Sequence, residues 1–165
     1  LDHATVSFRA DALAQDDIDL AELAGRVTEA LAPTAEMKDI TLELDAPQPA
    51  HVRGDTILLE SALRNILDNS VKYSPDETKI SIRLSAAEGN AWRLLVQDQG
   101  RGFSEENLPA LTARFKRGSN VEKIVGSGLG LTIAEDVVVA HGGRLELSTP
   151  QEGTGACVSL ILPAA

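Results

Sequence analysis

The sequence predicts an α+β fold of two layers, in which a mixed sheet of five or more strands packs against three helices. Three observations carry that reading. Three stretches repeat apolar residues at helical spacing, and at least five alternate with a period of two. The strand-like stretches also cluster as neighbours instead of alternating one by one with helices, which places the helices on one face of the sheet. The length of 165 residues, 43% of them hydrophobic, suits one domain with a real core. Aromatic residues make up only 3%, so that core is built from Leu, Ile, Val and Ala.

Along the chain, Leu1 to Asp17 is polar and weakly patterned, with Thr5–Phe8 as a candidate short strand. The chain opens without Met and is expected to be a fragment, with residues 1–17 a linker or the remnant of a preceding segment and residues 18–165 the domain. Asp19 is a plausible helix cap; Leu20, Leu23, Val27 and Leu31 follow at helical spacing, and Pro33 is expected to end the run. Ile40 to Leu44 alternates as a strand and stops before Pro47 and Pro49. Asp55 can cap a helix over residues 56–73, with Pro75 as its stop signal. Strands are predicted over 79–85 and 91–97, joined by a hairpin through Glu88-Gly89-Asn90. A stretch rich in Gly and charge follows, from Asp98 to Gly128. A helix over 129–140 ends at His141-Gly142-Gly143, where glycine suits a left-handed C-terminal cap. The segments 144–148 and 156–162 alternate as a closing strand pair.

Composition excludes several classes. A formal net charge of −10 argues against a nucleic-acid binder, because phosphate backbones favour basic surfaces. One Cys rules out an intramolecular disulfide framework and fits a reducing compartment. No apolar run approaches the roughly 20 residues of a membrane-spanning helix, and the opening residues are not expected to be a signal peptide. Collagen, coiled coil and wholesale disorder do not fit this composition.

The helix over 56–73 carries the sharpest polar pattern. Leu59, Ala62, Leu63, Ile66, Leu67 and Val71 form its apolar face. Asn65, Asn69 and Lys72 fall at i, i+4 and i+7, within roughly 60° of one another at about 100° per residue. A solvated helix face is the plain alternative, but Asn is a poor helix former and two of them at this spacing cost stability. A carboxamide oxygen can complete the shell of a hard cation such as Mg²⁺, which is commonly shared with phosphates. Lys72 could reach the same phosphates as a point charge, and Tyr73 could pack on a base or merely on the core.

Two glycine clusters follow. Asp98-Gln-Gly100-Arg-Gly102-Phe103 comes after a strand, and Asp98 is placed there to accept a hydrogen bond from a group lodged beside the turn; an ordinary Asp-Gly turn is the alternative. Gly126-Ser127-Gly128-Leu129-Gly130-Leu131 leads into a helix, where backbone N–H groups and the helix dipole can meet phosphate. It is neither a P-loop nor a dinucleotide fingerprint, since the required spacings are absent. Between the clusters Arg101, Arg114, Lys116, Arg117 and Lys123 outnumber Glu105, Glu106 and Glu122. A locally basic loop in an acidic chain suggests a lid over an anionic ligand, against the alternative of a solvated loop.

In this order the motifs are Leu63-Arg-Asn-Ile-Leu-Asp-Asn-Ser-Val-Lys-Tyr-Ser74, Asp98-Gln-Gly-Arg-Gly-Phe103, Arg114-Phe-Lys-Arg-Gly118 and Gly126-Ser-Gly-Leu-Gly-Leu131. The series resembles the asparagine, first glycine, phenylalanine and second glycine boxes of the catalytic ATP-binding domain of sensor histidine kinases. That domain belongs to the superfamily shared with DNA gyrase, the heat-shock chaperone and mismatch-repair MutL. The resemblance runs from about Asp19 to Pro163.

The resemblance implies the Bergerat fold, a two-layer α/β sandwich with a flexible ATP lid over about 104–127. It implies ATP and Mg²⁺ as ligands. Asn69 would ligate the metal, Asn65 and Lys72 would contact the phosphates, and Tyr73 would pack near the adenine. Asp98 would accept from the adenine amino group, with Gly100 and Gly102 letting the base approach the backbone beside Phe103. Arg117 would be a catalytic contact from the lid, Phe115 would anchor the lid when closed, and Gly126, Ser127, Gly128, Leu129 and Gly130 would form the hinge and phosphate cradle.

Hydrolytic relatives carry a Glu four residues before the metal-binding Asn, as the base that activates water. Here that position is Asn65, which suits a kinase that keeps ATP intact. Glu60 lies about 180° around the helix from Asn69 and is not expected to substitute. The family's phosphoacceptor, a His followed by an acidic residue, is not matched by His3, His51 or His141.

The expected function is therefore donation of a γ-phosphoryl group to a histidine on a separate dimerisation domain, with a response regulator downstream. A monomeric fragment of a homodimeric, membrane-anchored bacterial kinase is implied, with this domain in the cytoplasm. An ATP hydrolase or clamp of the same superfamily is the alternative. Gly153-Thr-Gly-Ala156 stands where the family often has Thr after the second Gly, and Cys157 is expected in the core.

Overall fold

The computed structural model describes residues 13–99, 129–148 and 155–165. In chain order the elements are β1 (Asp16–Asp19), α1 (Leu20–Glu36), β2 (Thr41–Asp45), β3 (His51–Gly54), α2 (Thr56–Tyr73), β4 (Lys79–Ala87), β5 (Ala91–Gln97), α3 (Leu129–Ala140), β6 (Arg144–Ser148) and β7 (Cys157–Pro163). Among the described residues the main sheet has five strands in the order β2-β4-β5-β7-β6. β2 runs parallel to β4 and every other pair is antiparallel, so the sheet is mixed, as predicted. β1 and β3 form a separate antiparallel ribbon.

Alternation decides which face is covered. Ile80, Ile82 and Leu84 of β4, Leu94 and Val96 of β5, and Val158, Leu160 and Leu162 of β7 are all at most 5% exposed. Their register stacks Ile82 on Val96, Leu84 on Leu94, Leu94 on Leu160 and Val96 on Val158, so one face of the sheet is a continuous apolar layer. The helices cover it. α1 contributes Leu20, Leu23, Ala24, Val27, Leu31 and Ala35, and α2 contributes Leu58, Leu59, Ala62, Leu63, Ile66, Leu67 and Val71. At 25 cal/mol per Å², burying one such Leu or Ile is worth about 2 kcal/mol.

The caps match the sequence. Asp19 accepts from Ala21 N–H at 3.0 Å, and Asp55 accepts from Leu58 N–H at 3.2 Å. α3 closes with Gly142 at φ 80°, Gly143 N–H returning to Val138 O at 2.9 Å and Gly142 N–H to Val139 O at 2.9 Å. This is the double-bonded left-handed turn that glycine permits.

Two details depart from the sequence reading. Pro33 does not end α1, which runs on to Glu36. The bond that Pro33 forgoes would reach Glu29, and both residues face solvent, where water can take the carbonyl. The buried residues Leu31 and Ala35 flank it and hold the turn in place. The helix closes beyond it, with Asp39 at φ 54° and Ile40 N–H returning to Ala35 O at 2.9 Å. The second departure is the β1–β3 ribbon, which takes in Asp16 and Asp17 and was not anticipated. The candidate strand Thr5–Phe8 lies outside the described residues.

Candidate functional site

The candidate site is framed by α2 and α3, whose ends are joined through one histidine. The backbone N–H of Asp55, the N-cap of α2, donates to His141 Nε2 at 3.0 Å. His141 lies just past the end of α3, and its Nδ1 is 2.7 Å from Val137 O. The first bond needs a lone pair on Nε2, so the proton is assigned to Nδ1, which donates to Val137. The imidazole fits because residue 54 is glycine: a Cβ there would stand 2.4 Å from the ring. The end of α3 therefore meets the start of α2, and the two helices pack antiparallel. It follows that the amino end of α3, with Leu129 and Gly130 in its first turn, lies on the side of the carboxyl half of α2.

That half of α2 carries the polar stripe. Asn65 and Asn69 are half-buried and Lys72 is exposed. Tyr73 is 44% exposed, and the Lys72 ammonium stands 5.5 Å from the centroid of its ring. The positive end of the α3 dipole faces the same region, an arrangement that favours an anion. Glu60 is turned away, and its Oε1 lies 3.4 Å from Arg26 Nε of α1. Among the described residues no group of three or more His, Cys, Asp or Glu is gathered to hold a metal ion. The stripe's donors toward a cation are the hard carboxamide oxygens of Asn65 and Asn69, a type that suits Mg²⁺ sharing its shell with phosphate and water.

Asp98 stands at the same end of the sandwich. It follows β5, and the next residue ties β5 to the start of β4, since Gln99 Oε1 accepts from Lys79 N–H at 2.8 Å. Asp98 is only 7% exposed. Its N–H donates to Ala156 O at 3.0 Å and its Oδ1 accepts from Ala156 N–H at 3.0 Å, so one residue before β7 fixes both its backbone and its carboxylate. Gly155 makes this approach possible. It has φ 138°, and a Cβ there would fall 1.9 Å from the Asp98 carbonyl oxygen. Cys157 follows, 6% exposed. Burial pushes its thiol pKa up and the nearby charge of Asp98 adds to the rise, against a hydrogen bond with Ser148 that lowers it. On the outer face of the sheet the hydrogen bond from Arg144, with help from Arg93, holds Glu146 below the usual carboxylate range.

Of the residues singled out from the sequence, Asn65, Asn69, Lys72 and Tyr73 thus share α2, and Asp98 lies at the same end of the domain. Gly100, Gly102, Phe103, Phe115, Arg117, Gly126, Ser127 and Gly128 lie outside the described residues. Gly155, His141 and Gly54 escaped the sequence reading as parts of the site's support. Only the paired glycines before the closing strand hinted at the first.

A protein-family model described as histidine kinase-, DNA gyrase B- and HSP90-like ATPase matches residues 54–165. The phosphate regulon sensor protein PhoR of Pseudomonas aeruginosa is 42% identical over 116 residues, covering 68% of this chain and 26% of that protein. The signal transduction histidine-protein kinase/phosphatase MprB of Mycobacterium ulcerans is 31% identical over 157 residues, covering 93% of this chain and 30% of that protein. The chain thus spans about a quarter to a third of these relatives. Among solved structures, a mycobacterial sensor histidine kinase MprB superposes with a TM-score of 0.73 at 30% identity, covering 92% of this chain and 98% of that one. Full-length ShkA in complex with AMPPNP gives a TM-score of 0.76 at 25% identity, covering 98% of this chain and 34% of that one.

Proposed function

Since the chain belongs to the histidine kinase-, DNA gyrase B- and HSP90-like ATPase family, we propose that it binds Mg-ATP and donates the γ-phosphoryl group to a histidine on a separate dimerisation domain. What supports this reading is that the Asn65–Asn69–Lys72 stripe lies on the carboxyl half of α2, while the buried Asp98 ends β5 and its neighbour Gln99 is bonded to the start of β4, the strand that follows α2. The AMPPNP held by the ShkA structure supports an adenine nucleotide as the ligand.

In this reading the Asp98 carboxylate, pinned through Oδ1 by Ala156 N–H, accepts from the adenine amino group and selects adenine over guanine. Tyr73 packs beside the base. Lys72 and Asn65 hold phosphate oxygens, and Arg117 meets them from the lid. Gly100, Gly102 and Phe103 shape the base side of the pocket, and the turn from Gly126 to Gly130 cradles the phosphates. Asn69 gives Mg²⁺ one carboxamide oxygen; when bound, the ion neutralises charge on the β- and γ-phosphates. In the transfer the bond from the γ-phosphorus to its bridging oxygen breaks, a bond to imidazole nitrogen forms, and ADP leaves. Positioning and electrostatics do most of this work.

Water is a poor competitor here. Asn65 stands where a general base would be needed, and a carboxamide cannot take the proton. Glu60 is engaged with Arg26 on the side facing α1. The partners in this reading are the phosphoacceptor hairpin of the same homodimeric kinase and a response regulator. The domain works in the cytoplasm beneath a membrane-anchored sensor; no helix among the described residues is itself long and apolar enough to cross a membrane.

A time course with γ-labelled ATP and Mg²⁺ tests this, following bound nucleotide and released phosphate in one sample, before and after adding the hairpin domain of a related kinase. Bound, intact ATP whose label passes to the hairpin is the expected result. Steady phosphate release that disappears in Asn69→Ala favours a hydrolase, and absence of nucleotide binding overturns the reading.

A further inference from the structure

A helix leaves its last carbonyls without intrahelical partners. At the end of α2 a residue from another element takes them. Lys38, just beyond α1, donates from Nζ to Val71 O at 2.8 Å, to Lys72 O at 3.1 Å and to Ser74 O at 2.6 Å. An ammonium has three N–H donors, and all three are used on one turn of backbone. The main chain of Lys38 grips the same segment, because Glu77 N–H donates to Lys38 O at 3.0 Å. Lys38 is itself held by the closing turn of α1, where its own N–H donates to Ala35 O at 3.0 Å. Its charge also meets the negative end of the α2 dipole.

The consequence falls on Lys72. A lysine in the last turn of a helix can curl back onto the final carbonyls of its own helix. Here Lys38 already occupies them, and Lys72 is exposed beside the Tyr73 ring. We propose that Lys38 is a positioning residue for the phosphate contact: it fixes the last turn of α2 and keeps the Lys72 ammonium directed outward to the nucleotide. This rests on the reading of the site given above. It adds a residue from outside the motifs, whose effect is confined to the phosphate end of the ligand.

The test is a double-mutant cycle in the 165-residue chain, with Kd measured for Mg-ATP and for adenosine, and with folding of each variant checked by circular dichroism. Lys72→Met is expected to weaken ATP about tenfold, the size of one charge-assisted contact, and to leave adenosine unchanged. Lys38→Met is expected to weaken ATP several-fold and adenosine not at all. In the Lys72→Met background it has no further effect, and Lys38→Arg recovers part of the loss. If Lys38→Met does not fold, Lys38→Gln carries the same cycle. Equal losses for ATP and adenosine, an undiminished loss in the Lys72→Met background, or a change in melting temperature alone overturns the proposal. A wild-type chain that binds adenosine and ATP with no contribution from Lys72 does so too. A wild-type chain that binds neither ligand overturns the functional reading instead.

Discussion

Single atoms decide the geometry around Asp98. Gly155 lies so close to it that one added methyl group would sit 1.9 Å from its carbonyl oxygen and 2.9 Å from its carbonyl carbon. The neighbour is backbone and cannot swing aside as a flexible side chain could. Gly155→Ala must therefore move the Asp98 peptide or the turn before β7, and at φ 138° the alanine is also strained. The expected cost is about 3 kcal/mol, seen as a lower urea midpoint at unchanged slope, together with weakened adenosine binding. A substitution that leaves both unchanged shows that the turn is softer than its contacts imply. Cys157, two residues on, reports the same neighbourhood chemically. Burial holds its thiol pKa above the ordinary 9.0, with the charge of Asp98 contributing. A folded-state pKa above the unfolded one means that the stabilising preference for the neutral thiol is complete below the unfolded value and fades as pH rises through the folded one. Iodoacetamide at pH 8 should accordingly leave the native thiol almost unmodified and label it readily in urea. Rapid labelling of the native chain would contradict this.

At the scale of elements, the α2–α3 pair depends on a contact between their ends. His141→Ala removes the acceptor for Asp55 N–H and leaves a donor at a part-buried helix start. A loss of about 1–3 kcal/mol is expected. Because the same contact aligns the two helices, ATP affinity should fall along with stability. A thermal melt and a binding isotherm on one preparation check both, and a variant as stable as the wild type would refute the role. This contact also shows where sequence reasoning stops. α2, β4 and β5 were legible almost to the residue, because long amphipathic faces repeat their period many times. β1 and β3 have four residues each, too few for a period to emerge, and they exist only because each pairs with the other. The polar stripe was legible because its members share one helix. Its supports were not: the bonds made by Lys38 span 33 to 36 residues, that of Asp98 to Ala156 spans 58, and that of Asp55 to His141 spans 86. No local spacing encodes such partners. Pro33 misled for a related reason, since its effect depends on whether the missing bond faces solvent or core.

For the molecule as a whole, the question is how an acidic chain holds an anionic ligand. A formal charge of −10 repels phosphate at long range, so attraction must be local. In the proposed reading the amino end of α3, Lys72 and a cation shared with Asn69 would supply it, while Asp98 would serve the neutral base. Binding confined to the folded state then stabilises the entire domain by mass action. At a ligand concentration of 100 times Kd the gain is about 2.7 kcal/mol. For a domain of this size each kcal/mol raises the melting temperature by roughly 2–4 °C, so Mg-ATP should raise it by roughly 5–11 °C. EDTA should reduce that shift without abolishing it, because Asp98 and Lys72 remain. Asn69→Ala is compared with its own melting temperature without ligand, so that any change in its intrinsic stability cancels. It should lose the part of the shift that depends on Mg²⁺. GTP should give little shift, because in the proposed reading the acceptor at Asp98 would face a carbonyl in place of the adenine amino group. Differential scanning calorimetry across these conditions separates the base, the phosphates and the metal in one protein. Equal shifts with ATP and GTP would remove the role given to Asp98, and an ATP shift indifferent to both EDTA and Asn69→Ala would remove the metal from Asn69.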